Sequence, residues 1–139
     1  MTNEQTPDFP SELLVAESGA ILGKSGDYCI IISLRSFTYE NESIEDELVI
    51  EHLPFVAETP RNLSGQEFSF PPNPEDGYIE SSIYMWGVHN PIDVLRIKFG
   101  NVEDGWIEAT FDMRFVFEYE GLCNNLSKIF TLALNIASD

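Results

Sequence analysis

Between Ile107 and Glu120 apolar and polar positions alternate. Ile107, Ala109, Phe111, Met113, Phe115, Phe117 and Tyr119 take the odd places, and the even places are polar except for Val116. A period of two marks a strand with one face in a core and one in water, whereas a helix would scatter those aromatics around its circumference. Residues 78–86, 92–99 and 129–136 are similarly rich in β-branched and aromatic side chains. The links between these runs are short: HNP at 89–91, GNVEDG at 100–105 and EGLCNN at 120–125. Short links join antiparallel neighbours, so the pattern predicts a four-stranded antiparallel meander over residues 78–136.

An internal echo reinforces this. NPEDGYIESSIYM (73–85) aligns without gaps to NVEDGWIEATFDM (101–113), 28 positions apart. Two copies are too few for a solenoid, so the shared content is turn chemistry. Asp-Gly supplies the left-handed residue that launches a strand, with an aromatic beside it.

The first half is less regular. Residues 12–16 read as a short strand and 17–27 as a Gly-containing turn. YCIIISLRSFTY (28–39) is strongly β-prone, but its alternation changes phase, which predicts a bulge near Arg35 or Ser36. An acidic loop is expected at 40–46, running into a strand at 47–53; a helix capped at Ser43 is the competing reading of that segment. Five prolines between 54 and 74 mark loops around one short strand at 66–70. About seven strands and no long helix predict an all-β fold, an antiparallel β-sandwich or strongly curved sheet. The 139 residues are expected to form a single domain with residues 1–11 as a flexible tail.

Charge changes the picture. The chain carries 24 acids against 7 bases, a net −17 with a pI near 4.1. Such a field repels nucleic-acid phosphates and anionic lipid, so neither is an expected partner, and it attracts basic proteins, polyamines and divalent cations. The competing reading is generic: an acidic surface that serves solubility or a host living in high salt. Acids outnumber bases 12 to 2 in residues 1–60 and 12 to 5 in 61–139. The densest stretch is YENESIEDELVIEHL (39–53), with Glu40, Glu42, Glu45, Asp46, Glu47 and Glu51 and no Lys or Arg. Carboxylates about 7 Å apart in water repel by roughly 0.6 kcal/mol, which a basic partner would relieve.

Candidate chemistry adds little to this. ENESIED lacks the Asp-x-Asx-x-Asx-Gly offsets of a calcium loop, and the two His and two Cys have no zinc spacing. There is no GxSxG, HExxH or phosphate loop, and no metal or cofactor is expected. His89 could approach Asp93 as an oriented base but reads better as a turn residue; His52 reads as a strand edge. Phe111, Phe115, Phe117 and Tyr119, with Trp86 and Trp106 nearby, fit a core or the lining of a ligand cavity.

Cys29 and Cys123 are far apart and without a CxxC, as expected of reduced thiols in a cytoplasmic protein. The opening residues carry no signal-peptide pattern, and no apolar run is long enough for a membrane helix. These features together predict a non-enzymatic domain that binds a basic protein such as a toxin. The six acids would steer it, and Tyr39 or an exposed Trp would anchor it. Small acidic inhibitors and immunity proteins share this profile of size and charge. The alternatives are a small-molecule-binding β-barrel or sandwich, and an oligomeric assembly protein that pairs sheet edges.

Overall fold

A computed structural model describes residues 6–136. A 3-10 turn at Ser11–Leu13 leads into β1 (Ala16–Lys24), β2 (Asp27–Leu34), the short pair β3 (Phe37–Tyr39) and β4 (Glu42–Ile44), and β5 (Glu47–Leu53). A second 3-10 turn at Pro60–Leu63 precedes β6 (Glu67–Ser69). The chain then runs through β7 (Glu80–Met85), β8 (Val88–Glu103), β9 (Trp106–Phe115) and β10 (Leu126–Ile136). No helix among the described residues is long and apolar enough to cross a membrane.

The main sheet runs β5-β2-β1-β10-β9-β8-β6, with β7 also paired to β8. It is a strongly curved, nearly closed sheet, as the alternation predicts. The long β8 pairs with β7 along its first half and with β6 along its second. The predicted meander is β7-β8-β9-β10. Among the described residues all pairings are antiparallel except one: β1 lies parallel to β10, with Gly19 opposite Leu134. That pairing ties the first half of the chain to the meander.

Inward positions alternate along each strand and fill the interior. Ile30 and Ile32 of β2, Leu48 and Ile50 of β5, and Ile107, Phe111, Met113 and Phe115 of β9 are all fully buried. Each such side chain contributes about 1.5–3 kcal/mol through burial. In β5, His52 adopts a positive φ of 59° where the register with β2 shifts, and this bulge returns Leu53 to the inside. The core is closed at one end by Phe9, Phe37, Tyr39, Trp86 and Phe117, with Phe9 4.7 Å from Tyr39 and 5.4 Å from Phe117 between ring centres. Toward the other end of β8, Phe55 packs on Phe68 at a tilt, 4.3 Å between ring centres, and edge-on against Phe99 at 5.5 Å.

Several local expectations change. Residues 17–27 are mostly strand, with the turn confined to Ser25 and Gly26. No bulge forms at Arg35 and Ser36; the chain leaves the main sheet there and starts a separate hairpin. Residues 40–44 of the expected loop are accordingly the turn and second strand of the β3–β4 hairpin, with Glu40 and Asn41 both at positive φ, and only Glu45 and Asp46 form a link to β5. Positive φ at both central residues gives the twist that a two-residue hairpin needs. The β7–β8 turn is Trp86–Gly87, so His89 to Pro91 lie within β8. The long strand stops at Phe115, although Val116 and Phe117 remain buried. The tail expected over 1–11 is held from residue 6: Phe9 is buried and Asn124 bonds the carbonyls of Thr6 and Pro7. Residues 1–5 of that stretch lie outside the described residues.

The internal echo is structural. Gly77 and Gly105 both sit at positive φ, Tyr78 and Trp106 are both exposed, and Met85 and Met113 are both fully buried.

The parallel β1–β10 contact is close. A Cβ on Gly19 would lie 2.7 Å from Leu134 Cδ2, 2.9 Å from Leu132 Cδ1 and 3.1 Å from the Ile31 carbonyl oxygen. Gly19→Ala is expected to cost about 1–3 kcal/mol by overpacking, read from urea unfolding at an unchanged slope; a neutral result would mean that β1 and β10 are not so closely apposed.

Candidate functional site

The curvature brings the outer edge of β5 opposite the outer edge of β7, with some Cα pairs within 8 Å. Among the described residues no ladder joins them: β5 pairs with β2, and β7 with β8. Carboxylates bridge part of this seam. Asp46 Oδ2 accepts the Tyr84 N–H at 2.7 Å, while its Oδ1 accepts the Glu47 N–H at 2.9 Å. Glu42 Oε1 accepts the N–H of Trp86, in the β7–β8 turn, at 3.2 Å. Two acids of the dense stretch therefore satisfy backbone donors that an adjacent strand would otherwise take.

Below and beside these bridges runs an open trench. One part, of about 810 Å³, is bordered by Glu45, Asp46, Glu47 and Val49 on one side and Ser82 and His89 on the other. Its continuation, of about 510 Å³, shares Val49 and Ser82 and adds Glu51, His52, Tyr78 and Glu80. Among the described residues neither part has a Lys or Arg in its lining. Glu47 and Glu51 lie outward on β5 because Leu48 and Ile50 between them point into the core.

The predicted site residues thus separate. Glu45, Asp46, Glu47 and Glu51 come together in the trench. Glu42 is committed to the Trp86 bridge, and Glu40 sits exposed at the tip of the β3–β4 turn. Tyr39 is half-buried, its ring against Phe9 and Trp86 and its hydroxyl 3.3 Å from Cys123 Sγ. The trench has other aromatics within reach. Tyr84, 47% exposed, stands against His89 with ring centres 5.0 Å apart, and Tyr78 is 42% exposed at the far part. Glu80 is a further acid of this site. None of these was legible in advance, because β7 looked like an ordinary meander strand and only the curling of the sheet makes it a neighbour of β5.

His89 Nδ1 lies 3.2 Å from Ser82 Oγ, and no hydrogen bond to its other nitrogen occurs among the described residues. A serine paired with a histidine that nothing orients falls short of a nucleophile–base–orienter set. His52 is exposed between Asp27, at 3.2 Å, and Glu51, at 3.5 Å. Among the described residues no three His, Cys, Asp or Glu side chains converge as metal ligands do. Of the aromatics that could have lined a ligand cavity, Phe111, Phe115 and Phe117 are fully buried in the core, with Phe115 5.9 Å from Phe117. Trp86 packs against that core, whereas Trp106 and Tyr119 are exposed.

Two results are expected. Asp46→Ala should cost about 1–2 kcal/mol, the loss of charge-assisted bonds in a partly exposed setting, with Asp46→Asn less harmful because its amide oxygen still accepts one; calorimetry of the pair checks this. The Tyr39 phenol is pushed up to about 12, first by its hydrogen bond with Cys123 and then by burial. A raised phenol favours the protonated folded state, so this stabilisation is complete below pH 10 and is lost as pH climbs towards 12. The difference absorbance titration between wild type and Tyr39→Phe should show one phenolate appearing near pH 12.

Set against known proteins, the chain matches no protein-family model, no curated protein and no solved structure.

Proposed function

We propose that the chain is a non-enzymatic recognition module that takes a basic protein along the acidic trench between β5 and β7. One observation carries this reading: two sheet edges wall a groove with carboxylates on both sides, exposed tyrosines beside it and, among the described residues, no Lys or Arg in its lining. The carboxylates repel one another, so the unbound trench is electrostatically unfavourable and a cationic surface relieves it. The wider net charge of −17 accelerates the approach of such a partner. Tyr84 and Tyr78 supply rigid, partly apolar contact area of the kind that dominates interface energy.

A cationic nuclease-like toxin has the required chemistry, and in that case the module is an inhibitor or immunity protein. Its two cysteines are unpaired, and the Cys29 thiol is pushed up by burial and by Glu51 and Asp27, as suits an inert thiol in a reducing cytoplasm.

The test spares the bridging Asp46. The triple variant Glu45→Lys, Glu47→Lys and Glu51→Lys should fold normally and lose a basic partner captured by the wild type from its native host. The wild-type complex should weaken steeply as salt rises. Retention by the triple variant, or capture of an acidic partner by both, would overturn the reading.

A further inference from the structure

A second pocket lies across β7 from the trench, on the outer face of β7, β8 and β9. Here Glu80, Asp93 and Arg114 stand in register on three neighbouring strands. The residues that follow β9 and the Pro72–Pro74 segment form its walls, and the cavity measures about 360 Å³. Asp93, at its floor, is only 5% exposed. Its Oδ1 takes one long hydrogen bond, from the Asn73 N–H at 3.3 Å; its Oδ2 takes none among the described residues and opens to solvent rather than being sealed in. A carboxylate removed this far from water ordinarily has a cation or several donors. The one cation nearby, Arg114, makes no ion pair among the described residues even though it faces Asp93 across the ladder. Glu80 and Glu118 add two more carboxylates, and Glu80 also borders the trench.

We propose that this pocket binds an alkylammonium or guanidinium group on an aliphatic stem, with the charge against Asp93 and Glu80 and the stem along Pro72, Pro74 and the ring of Tyr119. Three carboxylates against one guanidinium favour a cation over an anion or a zwitterion. The prolines, Val116 and Tyr119 give the methylene stem an apolar wall, which a bare metal ion does not use. Two sources carry this group: a Lys or Arg side chain of the basic partner, or a free polyamine. The first rests on the function proposed above; the second does not.

The test is an NMR titration of the isotopically labelled full chain with N-acetyl-lysine methylamide, N-acetyl-arginine methylamide and putrescine. Saturable shifts are expected at the amides of Asn73, Asp93 and Arg114. Asp93→Asn should weaken binding about tenfold, the loss of one charge-assisted bond. Arg114→Ala should strengthen it by removing the competing cation. Glu118→Gln, on an exposed turn, should weaken binding by a smaller factor and reports on the same pocket if Asp93→Asn disturbs folding. Tighter binding of the capped amino acids assigns the pocket to a partner's side chain, and tighter binding of putrescine assigns it to free polyamines. The triple-lysine trench variant should keep probe binding intact, so failure of the pocket and failure of the trench are seen separately. The proposal is overturned by an absence of saturable shifts, by indifference to both Asp93→Asn and Glu118→Gln, by loss of probe binding in the trench variant, or by loss of binding in Arg114→Ala, which would mean an anionic group is held instead.

Discussion

A sheet that curls almost into a barrel but stops one ladder short leaves two edge strands facing each other, and β5 and β7 are those strands here. Exposed edges invite pairing with other chains, and proteins blunt them with charge, bulges or cover. This chain uses all three. The bulge at His52 interrupts β5, the Phe55–Phe68 pair covers the gap toward β6, and Asp46 and Glu42 occupy backbone donors at Tyr84 and Trp86. The β3–β4 hairpin therefore has two tasks. Its apolar side caps the core, and the segment around it delivers the two carboxylates to the seam.

The same economy links stability to recognition. Acids that satisfy edge amides cannot also pair with a cation at full strength, whereas Glu45, Glu47 and Glu51, whose carboxylates bridge no edge amide among the described residues, remain available to solvent and to a visitor. Acids that look alike within the dense stretch of the sequence are thus divided by the fold into a structural part and an accessible part. The buried Asp93 belongs to neither, and its weak hydrogen bonding is what distinguishes the second pocket from the generally acidic surface.

How much of this could be read from the chain depended on the range of the interaction. Alternation at 107–115, the strand at 47–53 and the Asp-Gly launches at Gly77 and Gly105 are local, and all were legible. The turns at Glu40–Asn41 and Trp86–Gly87 were not, because Glu and Trp rarely adopt positive φ. Trp86 is held there by its ring contacts with Tyr39 and Phe117, which are tertiary. The site suffered most. Four of its acids were visible as a dense stretch, but the opposing wall with Glu80 and Ser82 comes from a strand some 30 residues later that only sheet curvature brings into place. The parallel β1–β10 pairing has no sequence signature at all, since Gly19 signals merely a missing side chain.

Amide hydrogen exchange at single-residue resolution addresses the seam directly. If carboxylates rather than a ladder close it, the Tyr84 amide is protected in the wild type and its exchange speeds up by about tenfold or more in Asp46→Ala. Ile83, whose neighbour across the ladder is Asn90, keeps its rate. Equal protection of Tyr84 in both proteins would mean that another group holds this edge, and the division of the acids into structural and accessible sets would fall with it.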